Sequence, residues 1–171
     1  MNSRVPRTAD ARLDLVLERV VKASPSVLWR VLTEPEHARQ WTTPLPWRTV
    51  ECEIDLRPGG VFRTLMRSPE GEESVNLCCF LEIVPERRLV WTNALLPAFR
   101  PAPTPAVVPF ITAEFTLRPE GSGTRYVAHV MHRDEADCRK HVALGFHDGW
   151  TTVTAQLADL AARLQGDDPH A

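Results

Sequence analysis

The most reactive chemistry in this chain sits on His132, Asp134, Cys138 and His141. An imidazole changes charge near neutral pH, so paired histidines can pass a proton or hold a metal ion. Cys138 and His141 are spaced to share one helix face. A zinc site built on them would lack any C-x-x-C half-site, and no metal is expected. Two readings of the histidines remain. They hydrogen-bond across a strand-to-helix junction, or they polarise a ligand carbonyl and exchange protons with it. The catalytic candidates are His132, His141 and Tyr126. His132 shares strand parity with Tyr126, Ala128 and Val130, so it is expected to face inward. On a helical wheel His141 lies about 130° from the centre of the apolar seam. No Walker loop, dinucleotide fingerprint, serine elbow or H-E-x-x-H motif occurs, and no cofactor is expected.

These side chains need elements to position them. Leu13, Leu15 and Leu17 alternate with polar neighbours as in a strand. Ser24 can cap a helix, Pro25 suits its first turn, and Val27, Leu28, Val31 and Leu32 repeat at helical spacing. Pro35 opens a second short helix toward Trp41. A meander of strands follows. Val50, Cys52 and Ile54 alternate with Glu51, Glu53 and Asp55, and Pro58-Gly59-Gly60 makes a tight turn. Val75, Leu77, Cys79, Leu81 and Ile83 form a clean apolar face that is expected to point inward. Leu89 and Trp91, then Ile111, Ala113 and Phe115, continue the pattern. From 134 to 165 there is no proline. Val142, Phe146, Trp150, Val153, Leu157, Leu160 and Leu164 recur every three or four residues, which predicts one long helix of roughly 45 Å. Gly149 is expected to let that helix approach the sheet. The plan is α+β: tails at 1–11 and 166–171 and a single domain over 12–165.

Composition narrows the function. The 171 residues are 43% hydrophobic and 25% charged, with Lys+Arg 20 against Asp+Glu 22, so no basic surface argues for nucleic acid. The start lacks the apolar stretch of a signal peptide, and the longest charge-free run is broken by prolines, so membrane insertion is not expected. A cytoplasmic location with four reduced, inert cysteines is the expectation. Prolines number 15 against 8 glycines. Pro97, Pro101, Pro103, Pro105 and Pro109 crowd one loop, either a stiff spacer or a rim with Leu96, Phe99 and Arg100 to inspect.

Several motifs recur together in one known family. Asp55-Leu56-Arg57-Pro58-Gly59-Gly60 with Phe62 resembles the D-L-R-P-G-G-x-F hairpin of the family named after the heat-shock-protein ATPase activator. Ala23-Ser24-Pro25 with Val27, Trp29 and Leu32 is similar to that family's first helix. Gly145-Phe146-His147-Asp148-Gly149-Trp150 resembles the G-F-x-x-G-W start of its last helix. The resemblance covers about residues 13–165. It implies the helix-grip fold of the START-like, or SRPBCC, superfamily: a curved antiparallel sheet wrapped around a long C-terminal helix, with two short helices near the N-terminus.

That superfamily shares a cavity rather than a reaction. Parity alone does not distinguish a filled core from a hollow one; the resemblance implies a hollow. Its expected lining is Phe62, Met66, Leu77, Cys79, Trp91, Phe99, Ile111, Phe115, Phe146 and Trp150. The expected function is binding or carriage of a small apolar or aromatic molecule. Alternatives are a cyclase, lyase or hydrolase using His132 as acid and base, and a protein-interaction module like the ATPase activator. A homodimer is left open.

Overall fold

The computed structural model describes residues 8–105 and 107–167. Most of the 1–11 tail and of the 166–171 tail lies outside the described residues. The chain runs β1 (Asp14–Val21), α1 (Pro25–Thr33), α2 (Pro35–Ala38), β2 (Arg48–Ile54), β3 (Val61–Arg67), β4 (Glu73–Val84) and β5 (Arg88–Thr92). A two-residue ladder, β6 (Leu95–Leu96) with β7 (Arg100–Pro101), is followed by β8 (Ile111–Glu120), β9 (Gly123–His132), α3 (Glu135–Ala143) and α4 (Phe146–Gly166). Seven strands form one antiparallel sheet in the order β1-β9-β8-β5-β4-β3-β2. The two helices α1 and α4 pack on one face of it, with Val27, Leu28, Val31, Leu157, Leu160 and Ala161 in the common core. This is the α+β helix-grip architecture.

Local chemistry explains the elements. Ser24 caps α1 by accepting from the Val27 N–H, and Pro25 occupies the first helical position, where its missing N–H leaves no bond unmade. The Ser24 N–H donates to Gln165 Oε1 at 2.7 Å, tying the start of α1 to the end of α4. At the 55–60 turn, a Cβ on Gly60 would stand 2.0 Å from the Asp55 carbonyl oxygen, so the tight D-L-R-P-G-G geometry requires glycine there.

Two expectations about register and helix length are corrected. The terminal segment is two helices rather than one, because Gly145 adopts a left-handed φ of 92° and breaks the ladder between α3 and α4. Val142 is consequently exposed, off the seam it was assigned to. On β4 the inward face carries Cys78 and Phe80, not Cys79. A bulge between Phe80 and Glu82 then shifts the register, so that Ile83 returns to the core opposite Leu89. The alternation is real, but the bulge splits it into two parities.

Candidate functional site

Between the inner face of the sheet and the start of α4 lies a cleft of about 490 Å³, within the usual range for a small-molecule site. β3 supplies Phe62, Thr64 and Met66 to its floor; β5, β8 and β9 add Trp91, Phe115 and Tyr126; Phe146, Trp150 and Val153 of α4 form the opposite wall. The aromatic rings interlock. Trp91 lies parallel to Trp150, with centroids 6.5 Å apart, and edge-on to both Phe62 and Phe115. Such offset and edge contacts hold the rings in one arrangement around the open space.

The proline-rich segment divides its work. At its base, Asn93 accepts from the Ile111 N–H at 2.7 Å and donates to the Pro109 carbonyl at 3.1 Å. Its first half leans on the 55–60 turn: the Ala98 N–H donates to the Gly59 carbonyl, and the Phe99 ring covers the place where a Gly59 Cβ would project. Its second half turns to the cleft, where Ala102, Pro103, Thr104, Pro105, Val107 and Val108 form an edge. Prolines suit an edge whose backbone N–H groups would otherwise face an apolar space. Opposite, Gln156 of α4 holds the 41–45 segment, donating to the Trp41 and Thr43 carbonyls and accepting from the Leu45 N–H.

Of the ten residues expected to line the hollow, Phe62, Met66, Leu77, Trp91, Ile111, Phe115, Phe146 and Trp150 do. Cys79 does not, for the register reason above; it is fully buried, and its thiol lies 3.5 Å from the Phe80 carbonyl. Phe99 does not either, being half exposed against the glycine turn, and Arg100 is exposed on the outside of the loop. Sequence reading missed Trp41, Asn93 and Phe110. Asn93, just beyond the end of β5 and two residues after Trp91, is the most visible signal among them.

Gly149 also stands differently. It lines the cleft, and a Cβ there would meet nothing within 4 Å. The glycine leaves room rather than bringing helix and sheet together. Burial pushes the Cys78 thiol up to about 12 and that of Cys52 up to about 11, which disfavours their thiolates, and none of the four cysteines is in a disulfide.

The histidines exchange roles. His132, at the end of β9, shares the inward parity of Tyr126 but sits beyond the cleft, with both ring nitrogens engaged. Nδ1 is 2.8 Å from the Leu13 carbonyl, and Nε2 is 2.9 Å from His141 Nδ1. His141, in the last turn of α3, lines the cleft and stacks edge-on against Phe146. The helical wheel failed because α3 and α4 do not share an axis. Burial, and then the neighbouring His132, hold the His141 imidazole down at about 4. Burial alone pushes the Tyr126 phenol upward. Neither group is therefore charged at neutral pH. No Asp, Glu, Lys or Arg lines the cleft among the described residues. Trp91 Nε1 is buried without a hydrogen-bond partner.

Elsewhere, Glu34 before α2 and Glu36 and His37 on it bring ligand atoms within 4.8 Å of one another. The His37 nitrogen near Glu34 is at ion-pair distance, 3.0 Å, without hydrogen-bond alignment. Nothing there marks a resident ion. No helix among the described residues is long and apolar enough to cross a membrane.

A sheet gripping a long helix around an uncharged aromatic cleft defines a helix-grip protein of the SRPBCC superfamily. Within it, the family described as "Activator of Hsp90 ATPase homolog 1-like protein" matches residues 22–162, and the chain belongs to that family. An X-ray structure of a protein from Nitrosomonas europaea is 44% identical, covers 92% of this chain and 99% of its own, and superposes with a TM-score of 0.85. One from Chromobacterium violaceum is 24% identical over 87% of this chain and 96% of its own, with a TM-score of 0.68. A solution NMR structure of an AHSA1-like protein from Aeromonas hydrophila is 13% identical over 93% and 98%, also with a TM-score of 0.68. The last two share the fold. No curated protein matches the chain.

Proposed function

We propose that this protein binds a small apolar or aromatic molecule in the cleft between the sheet and α4. The observation that carries the reading is the lining: among the described residues, an aromatic and aliphatic wall with no fixed charge around about 490 Å³ of space. Membership in a superfamily that commonly binds hydrophobic ligands supports it. So do Val75 at 52%, Val107 at 65% and Leu144 at 48% exposure, which leave an apolar border at the edge of that cleft.

The test is native mass spectrometry of the freshly purified protein, joined to thermal-shift screening with aromatic and polyketide-like compounds. A copurifying small molecule, or a melting temperature raised by apolar aromatics, is the expected result. No mass adduct and no shift across the panel would remove the reading.

A second reading is favoured by one feature, the hydrogen bond from His141 to His132. In an acid–base enzyme of cyclase, lyase or hydrolase type, His141 would exchange the proton and His132 would position it. Carriage and turnover separate simply. A carrier returns the copurified molecule unchanged after prolonged incubation, whereas an enzyme converts it, and His132→Ala slows the conversion.

A further inference from the structure

The hydrogen-bond chain behind His141 determines what the ligand must present; this inference rests on the cleft being a ligand site. A backbone carbonyl can only accept. The Leu13 carbonyl lies 2.8 Å from His132 Nδ1 and 3.0 Å from the His132 backbone nitrogen, so both of its lone pairs take protons from one residue. His132 therefore carries its ring proton on Nδ1, and in the neutral ring Nε2 accepts. The donor across the 2.9 Å contact is then His141 Nδ1–H. With its proton on Nδ1, His141 keeps a bare lone pair on Nε2. That nitrogen takes no hydrogen bond from the described residues. Unlike Trp91 Nε1, it is not sealed away, and its ring lines the cleft.

We propose that the ligand is an uncharged, largely aromatic molecule bearing a hydroxyl group, a phenol, enol or alcohol, whose O–H donates to His141 Nε2. A backbone carbonyl at the foot of β1 thus sets the polarity of the ligand through two imidazoles in series. The depressed basicity of His141 agrees, since a neutral ring keeps the lone pair available. The uncharged lining agrees as well: a carboxylate or phosphate would meet no cation there. A ketone would meet a lone pair with a lone pair. On this reading His141 presents an acceptor, where polarising a ligand carbonyl would need a donor.

The test compares matched probes by calorimetric titration of the wild-type chain: 2-naphthol with 2-methoxynaphthalene, and 4-phenylphenol with 4-methoxybiphenyl. Each hydroxyl compound should bind about tenfold more tightly than its methyl ether, the size of one well-made hydrogen bond in a dry site. In His141→Leu the ethers should keep their affinity and the advantage of the hydroxyls should vanish. Equal affinities in the wild type, or an advantage that survives in His141→Leu, would overturn the proposal while leaving the cleft a ligand site. No binding by any of the four would overturn both. The tautomer is read independently, without a variant, by long-range ¹H–¹⁵N correlation of the histidine rings. A bare Nε2 on His141 that shifts with 2-naphthol and not with its ether supports the chain of donors. A proton found on that nitrogen in the free protein contradicts it.

Discussion

The sheet has two faces, and each holds a depression large enough for a small molecule. The outer one is the larger, about 820 Å³, and runs across β4, β5, β8 and β9. Most of its charged side chains are paired with one another: Arg88 with Glu82, Arg125 with both Glu18 and Glu120, and His129 with Asp14 at 2.9 Å. The inner cleft, about 490 Å³, has no charged side chain in its wall among the described residues, and His141 Nε2 lacks a partner among them. The comparison teaches that volume is a poor guide. The outer groove is a charged surface whose ions are largely paired with one another. The inner cleft pairs apolar area with unmet hydrogen-bonding capacity, and that combination gives a ligand something to gain.

Substitutions on the two faces should sharpen this contrast. Trp91→Ala removes a buried ring that touches Phe62, Phe115 and Trp150, and should cost about 3–5 kcal/mol in urea unfolding. Glu18→Gln on the outer face breaks one pair of a half-exposed network and should cost about 1 kcal/mol or less. Comparable losses at the two positions would erase the distinction. A gentler pair of changes acts at Gly149. Gly149→Ala should stabilise α4 by about 1 kcal/mol, because the added methyl enters open space. Gly149→Leu should fold as well but lose affinity for apolar aromatics, since its side chain occupies cleft volume; unchanged affinity in Gly149→Leu would move the ligand elsewhere.

The finest distinction lies in pH. The His141 imidazole titrates at about 4 in the folded chain and near 6.5 when free. Between these values the unfolded chain takes a proton that the native chain refuses, so stability falls as pH drops from about 6.5 toward 4. Of the groups facing it, Tyr126 stays neutral throughout this window, and His132 meets it through Nε2 at 2.9 Å. His141→Gln should flatten the slope of melting temperature against pH above pH 5, before carboxylates protonate. An identical slope in the variant would show that burial of His141 does not govern it.

Much of this was legible in the residues themselves. The α+β order, the cap and proline of α1, and the apolar seam from Phe146 to Leu164 follow from local spacing. The D-L-R-P-G-G turn and the G-F-x-x-G-W helix start point to the family. What escaped did so for physical reasons. One extra residue in β4 reverses every side chain before it relative to those after it, and no pattern in the apolar run 75–83 marks where it sits. Gly145 ends one helix and starts another, but glycine within a periodic stretch is also compatible with a continuous helix. That break alone moved His141 from the back of a wheel into the cleft wall. Hydrogen bonds such as the one from His132 to Leu13 join residues 119 apart in sequence, beyond the reach of periodicity.

The central claim is that the inner face, and not the larger outer groove, receives the ligand. Two-dimensional ¹H–¹⁵N NMR during titration with 2-naphthol tests it directly. The expected result is that the indole N–H signals of Trp91 and Trp150 and the amides of Ala102, Thr104, Val107 and Val108 move together and saturate. Shifts confined to outer-face positions such as Arg118, Val127 and His129, with the two indoles unmoved, would contradict it.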